Sequence, residues 1–155
     1  MSSAVLVAVA LGSNLGDRHG HLSWAVQQLG AILQDLRLSP ILETEPVGVP
    51  DTQPTYLNAV VTGLTPLPPE DLLEALLALE RQRGRTRTSV RAARTLDLDL
   101  ILFGDRVIDH DGLVVPHPRF RERRFVLEPL AAIAPDARDP VTGMTIGELA
   151  AGRSR

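Results

Sequence analysis

AVLVAVALGSNLGD, residues 4–17, sets the reading of the fold. Its first eight residues are apolar without interruption, the pattern of a strand buried inside a sheet. Gly12-Ser13-Asn14 turns the chain. Leu22, Ala25, Val26, Leu29 and Leu33 then recur at helical spacing, which predicts a helix over 19–33. Working outward, a second strand is expected over 37–44. Residues 45–55, EPVGVPDTQPT, hold three prolines and a glycine and read as a loop. YLNAVVTGL, residues 56–64, reads as a third strand. TPLPP leads into a second helix over 69–83, with Pro69 in its first turn and Leu72, Leu73, Leu76 and Leu79 on its apolar face. Residues 84–95 have no apolar period and much charge, and read as an exposed loop. LDLDLILF, residues 96–103, is a fourth strand. A short strand over 106–109, a helix near 119–133 and a terminal helix near 145–150 complete the chain. The order β-α-β-β-α-β predicts an α+β, ferredoxin-like core: a mostly antiparallel sheet with helices packed on it, plus C-terminal additions. One domain is expected over residues 1–155.

Composition narrows the function. The 155 residues are 44% apolar and 23% charged with a formal net charge of -3, which suits a globular domain with a sizeable core. No apolar run approaches the roughly 20 residues of a membrane helix. The first residues lack the positive region of a signal peptide, so a cytoplasmic location is expected. The absence of cysteine excludes disulfides, thiolate metal sites and cysteine nucleophiles. All 16 basic residues are arginine. That excludes the phosphate-binding lysine of P-loops, the protein-kinase lysine and Schiff-base chemistry. Any phosphate bound here meets arginine, backbone N–H groups or a metal ion.

The sharpest chemical signal is Thr95-Leu96-Asp97-Leu98-Asp99-Leu100. Side chains alternate along a strand, so Leu96, Leu98, Leu100 and Leu102 are expected on one face and Asp97 with Asp99 on the other. Two carboxylates one strand repeat apart repel unless a cation lies between them. Mg²⁺ typically takes one or two carboxylates plus substrate phosphates. From the D-x-D pattern alone, an ordinary edge strand with a solvated acidic face is the commoner explanation. The neighbourhood changes that balance: Arg81, Arg83, Arg85, Arg87, Arg91 and Arg94 lie just upstream. Guanidinium groups beside a carboxylate pair suit a polyphosphate. Arg81 and Arg83 are explained by the negative end of the second helix; Arg85, Arg87 and Arg94 are not.

Arg119, Arg121, Arg123 and Arg124 form a second basic cluster beside His117, which sits between two prolines. Nucleic-acid binding fits such a cluster, but the acidic net charge and 3% aromatic content leave little for base stacking. His19 and His21, two apart, do not share a helix face and are not read as a metal site. Thr44, Val47, Tyr56 and Asn58 offer an apolar-plus-polar lining for a flat heteroaromatic ligand, with Phe125 as a second stacking face. Tyr56 and Phe125 as plain core residues fit the pattern equally well.

Taken in order, Gly12-Ser13-Asn14-Leu15-Gly16, Tyr56-Leu57-Asn58-Ala59, Arg94-Thr95-Leu96-Asp97-Leu98-Asp99-Leu100 with Phe103-Gly104, and Val115-Pro116-His117-Pro118 resemble the 6-hydroxymethyl-7,8-dihydropterin pyrophosphokinase family of folate biosynthesis. The resemblance runs from about Val5 to Leu149. It implies transfer of pyrophosphate from ATP to the pterin hydroxymethyl oxygen, with release of AMP. By the same resemblance, Asp97 and Asp99 hold two Mg²⁺ ions against the ATP phosphates. Arg85 and Arg94 stabilise charge during transfer, with Arg87 assisting. Glu80, Leu100, His117 and Arg123 bind the nucleotide. Thr44, Val47, Tyr56, Asn58 and Phe125 form the pterin pocket, and Asn14 buttresses it. One departure stands out: the family commonly has Trp-Gly-Pro before the Arg of RTLDLD, and this chain has Arg91-Ala92-Ala93.

The implied partners are ATP and the pterin, bound by a monomer without nucleic acid or membrane. Two other classes carry the same signals. A polymerase-palm type of nucleotidyl transferase also pairs aspartates on a ferredoxin-like core, and needs a nucleic acid. A non-enzymatic phosphate- or RNA-binding module uses both arginine clusters and survives loss of Asp97.

Overall fold

The computed structural model describes residues 4–45, 55–83 and 95–153. The uninterrupted apolar run becomes β1 (Val5–Ser13), and it is central as its composition demands, flanked on both sides. After it come α1 (Arg18–Gly30), β2 (Gln34–Leu38), β3 (Leu42–Thr44), β4 (Tyr56–Thr65), α2 (Pro69–Gln82) and β5 (Asp97–Phe103). The sheet order is β2-β4-β1-β5, with β3 also on β4, and its pairings are antiparallel. This is the arrangement expected of a ferredoxin-like core. A small hairpin of β6 (Ile108–His110) and β7 (Leu113–Val115) follows. A 3-10 turn (Phe120–Glu122), α3 (Arg124–Ile133) and α4 (Ile146–Arg153) end the described chain. Among the described residues no helix is long and apolar enough to cross a membrane.

Each sheet face has its own cover. α1 and α2 lay Leu22, Ala25, Leu29, Leu72, Leu76 and Leu79 against Val7, Val9, Leu11, Leu98 and Leu100. Leu72 and Leu76 are fully buried, each worth about 1.5–3 kcal/mol of apolar transfer. Asp17 starts α1 by accepting the Gly20 N–H at 3.0 Å, and Pro69 opens α2. The opposite face is covered by α3, α4 and Phe120, which pack on Ala8, Val60, Ile101 and Leu102. That cover stops short of the end of the sheet bearing Asp97 and Asp99.

Four local differences from the sequence reading have physical causes. The expected strand over 37–44 is two strands, broken at Ser39-Pro40. Pro40 has no N–H to give a ladder, and the Ser39 hydroxyl replaces one bond by accepting the Val60 N–H at 2.8 Å. The four leucines of the 96–103 segment do not share one face. Leu98 pairs with Leu11 and Leu100 with Val9, but Leu102 pairs with Ala8, because the register shifts there and Ile101 is the extra residue. Leu102 therefore joins the second core. The helix near 119–133 begins as a 3-10 turn and becomes α-helical only at Arg124. The first helix ends at Gly30, although Leu33 beyond it is still buried. At the end of β5, Gly104 has φ +55°, and a Cβ there would stand 2.6 Å from a Val5 methyl, so the turn requires glycine.

The C-terminal turn is held by Asp139, which is fully buried and pairs with Arg121. Burial alone would raise its pKa, but hydrogen bonds from Arg121, Thr142 and Val141, with the Arg121 charge, hold it down from 3.8 to about 2. The unfolded chain therefore takes up this proton at a higher pH than the folded one. The contribution is full above pH 4 and is lost as pH falls through about 2; it amounts to about 2 kcal/mol. Urea unfolding across that window should show wild type losing its margin over Asp139→Asn as the pH falls. A margin independent of pH would contradict this.

Candidate active site

The site follows from strand register. β5 lies beside β1 so that Asp97 faces Gly12 and Asp99 faces Ala10. On the other side of β1, Gly12 faces Asn58 of β4. Thr44 of β3 in turn faces Tyr56. Residues opposite one another in a ladder share a sheet face, so Asp97, Asp99, Asn58, Tyr56 and Thr44 all rise from the same side. Their neighbours on β1 are small, and the sheet floor between them is low. The result is a cavity of about 510 Å³, in the roughly 300–1,000 Å³ range of small-molecule sites.

Tyr56, Asn58, Thr44, Asp97, Asp99, Arg123 and Phe125 all line it. The Asn58 amide donates to the Thr44 hydroxyl at 2.7 Å, which fixes its orientation. Tyr56 keeps its phenolic proton well into alkaline pH, first because it is partly buried and then because Asp97 is close. Phe125, at the start of α3, has the Arg123 guanidinium 5.8 Å from its ring centre. A flat ligand thus meets aromatic rings from β4 and α3, an amide and a hydroxyl.

Four further expected residues lie around this cavity rather than in its lining. His117 follows the hairpin, its N–H donating to Ile101 O at 3.0 Å and its Nδ1 accepting from the Arg119 N–H at 3.2 Å. Its pKa is lowered chiefly by burial, with Arg123 and Arg119 adding to this and Asp99 opposing it. Glu80 is buried, and its carboxylate accepts the Leu98 N–H at 2.7 Å, bracing the strand between the two aspartates. Leu100 is a core residue behind them. Asn14 is fully buried at the turn after β1. Val47, Arg85, Arg87, Arg91 and Arg94 lie outside the described residues.

The second arginine cluster is divided by the fold. Arg119 and Arg123 line the cavity. Arg121 turns away to Asp139, and Arg124 pairs with Glu128 one helical turn on. Arg83, at the end of α2, sits 5.0 Å over Trp24 and donates to His21 Nδ1 at 2.8 Å. Sequence reasoning marks Arg119 only as a member of a basic cluster and Gly12 only as part of a turn, and assigns no role to the lining residues Glu122, Glu45 and Ala10. Ala10 and Gly12 show only once the strands are paired, and Arg119 and Glu122 only once the 3-10 turn is placed.

A family model described as 7,8-dihydro-6-hydroxymethylpterin-pyrophosphokinase (HPPK) matches residues 8–135. The chain belongs to the HPPK family. A pyrophosphokinase of this kind from Synechocystis is 43% identical over 143 residues, covering 91% of this chain and 72% of its own length. The Bacillus subtilis enzyme is 44% identical over 136 residues, covering 86% and 81%. Other HPPK relatives are larger. This chain spans only 19% of the folic acid synthesis protein of Pneumocystis carinii, at 38% identity. A Plasmodium falciparum HPPK-DHPS crystal structure superposes with a TM-score of 0.78 over 99% of this chain and 44% of that one. At 14% identity that likeness speaks for the fold alone. The HPPK match includes every lining residue of the cavity, from Ala10 to Val126.

Proposed function

We propose that this chain carries out pyrophosphate transfer from ATP to the hydroxymethyl group of 6-hydroxymethyl-7,8-dihydropterin in the cavity above Gly12. As an HPPK-family member it is a transferase of folate synthesis. The observation that carries the assignment of the site is the register that sets both aspartates on the same wall as Tyr56 and Asn58. The pterin lies between Tyr56 and Phe125, with Asn58 and Thr44 at its polar edge; Val47 is assigned to the same ligand by the family resemblance alone. The nucleotide lies on the side of Asp99, His117, Arg119 and Arg123, with Glu80 and Leu100 supporting it from below. Arg85, Arg87 and Arg94 meet the phosphates during transfer.

The donor set fits Mg²⁺. No cluster of three or more His, Asp or Glu that could cage an ion is found among the described residues. A carboxylate pair that leaves the remaining positions to phosphate and water is the kind of site Mg²⁺ takes. Asp97 and Asp99 would hold two such ions, which when bound neutralise the triphosphate and align the reacting oxygens. The chain's own residues orient and hold. The hydroxymethyl oxygen attacks the β-phosphorus, the bond from that phosphorus to the oxygen bridging the α-phosphorus breaks, AMP leaves with that oxygen, and the hydroxyl proton is released to solvent. Arginines beside the transferred group stabilise the charge that builds up. No covalent enzyme intermediate is needed. The reading takes a single copy in the cytoplasm as the working unit.

One assay tests it: protein, Mg-ATP and hydroxymethyldihydropterin, with the nucleotide product identified. AMP is expected; ADP or no turnover would overturn the reading. The aromatic pair gives a second expectation. Tyr56→Leu and Phe125→Leu should each weaken pterin binding and barely alter ATP binding, because offset stacking supplies about 0.5–1.5 kcal/mol beyond area burial. Calorimetric titration with each ligand separates the two. Equal loss for both would mean damage to the fold instead of to the pocket.

A further inference from the structure

Arg121 and Asp139 stand outside the cavity but hold the segment that forms one of its walls. Between the hairpin and α3 the chain makes only a 3-10 turn, Phe120–Glu122, with no side-chain cap. Its backbone bonds are local, Phe120 N–H to His117 O at 3.3 Å, Glu122 N–H to Arg119 O at 3.1 Å and Arg123 N–H to Phe120 O at 3.2 Å, so they shape the turn while side chains set how it sits against the rest of the fold. From it, Arg119, Glu122 and Arg123 reach the cavity, while Phe120 goes the other way into the core, fully buried.

Arg121 joins the two directions. Its guanidinium lies 4.7 Å from the centre of the Phe120 ring. Its Nε donates to one Asp139 carboxylate oxygen and its Nη2 to the other, the latter at 2.8 Å. Asp139 has no exposed surface. Its oxygens also accept the Val141 N–H at 3.0 Å and the Thr142 hydroxyl at 2.8 Å. The backbone closes the same turn: Asp139 N donates to Met144 O at 2.9 Å and Gly143 N to Asp139 O at 2.8 Å. The carboxylate is therefore a fixed point on a closed turn, not the end of a flexible chain.

A buried ion pair is a poor source of stability, since a well-packed apolar pair does as well. What a two-pronged arginine–carboxylate contact adds is direction. We propose that Asp139 is a positioning residue for the nucleotide: acting through Arg121, it fixes the 119–123 turn so that Arg119 and Arg123 face the phosphates beside Asp99. This rests on the site reading given above. The ligand chemistry served is the anionic polyphosphate. Without the clamp both arginines keep their charge but lose their aim, and ground-state nucleotide affinity falls while the reacting atoms are untouched.

The test is steady-state kinetics with Mg-ATP varied at saturating pterin, well below every variant's melting temperature. Asp139→Asn should raise KM for ATP about tenfold, the scale on which outer partners of a ligand-binding group act. Its kcat should change less than about twofold, the signature of lost uniform binding. Thr142→Val is the companion variant: it removes a bond to the same carboxylate and loosens the same turn, but leaves the Arg121 contact. It should lower the melting temperature and leave KM alone. A KM that rises in both variants in step with their lost stability would make Asp139 merely structural and overturn the proposal. An unchanged KM in Asp139→Asn, with KM raised in Arg123→Ala, would overturn the proposal and spare the site reading. An unchanged KM in Arg123→Ala would overturn the site reading and the clamp's role with it.

Discussion

Asp97→Ala and Asp99→Ala are each expected to abolish turnover at saturating Mg²⁺ while leaving the protein folded. Neither side chain is a core residue. Both lie partly exposed on the cavity wall, while Leu96, Leu98 and Leu100 carry the packing from the opposite face. Carboxylates two residues apart on a strand are separated by roughly 6.5–7 Å. Removing one relieves their mutual repulsion and takes nothing from the core, so the fold should persist. The catalytic cost is of a different order. Each aspartate supplies charge where the triphosphate must be neutralised, and removing one preorganised electrostatic group lowers kcat by at least about 10²–10³. AMP formation and thermal melting measured on the same preparations decide the matter. Near-normal activity in either variant would defeat the metal-site assignment. Loss of both activity and fold would show that the face assignment is at fault.

The aspartate wall was legible because alternation is a local rule. Once residues 96–103 are a strand, Asp97 and Asp99 share a face as long as no bulge falls between them, and none does. The bulge at Ile101 was not legible, since it is set by pairing with β1, a segment about ninety residues earlier in the chain. The break at Ser39-Pro40 has a local mark in Pro40, but that the Ser39 hydroxyl replaces a ladder bond depends on Val60 lying opposite. The central position of β1 was legible from composition, because only a strand covered on both faces tolerates eight apolar residues in a row. The arginine cluster at 119–124 was visible as charge but not as two functions. Which of its members faces the cavity depends on Asp139, fifteen or more residues on, and no local pattern marks that residue as a partner. Tyr56 and Phe125 meet at one cavity from β4 and α3. Residue type left them indistinguishable from core, and only the family resemblance singled them out.

Gly12→Leu is expected to remove pterin binding while ATP binding and the fold persist, and Gly12→Ala is expected to be mild. Gly12 is the lowest point of the cavity floor, between Asp97 and Asn58 in the ladder. A Cβ added there would stand 3.5 Å from Asn58 Oδ1 and 3.7 Å from the Tyr56 ring, ordinary contact distances. Its backbone does not need the left-handed region, so alanine brings no strain. The three further carbons of leucine have nowhere to go except into the space between Tyr56, Asn58 and Phe125. A heterocycle lifted by even 1 Å loses its amide contact, and its misalignment with the phosphate alone costs on the order of 10²-fold in rate. Leucine would also bury its own apolar surface in that pocket, so the folded state should not suffer. Pterin affinity, ATP affinity and melting temperature for the glycine, alanine and leucine forms make a graded series. Pterin affinity should fall steeply only at leucine, with the other two quantities flat. A leucine form that still binds pterin normally would place the ring elsewhere and leave this cavity without its ligand.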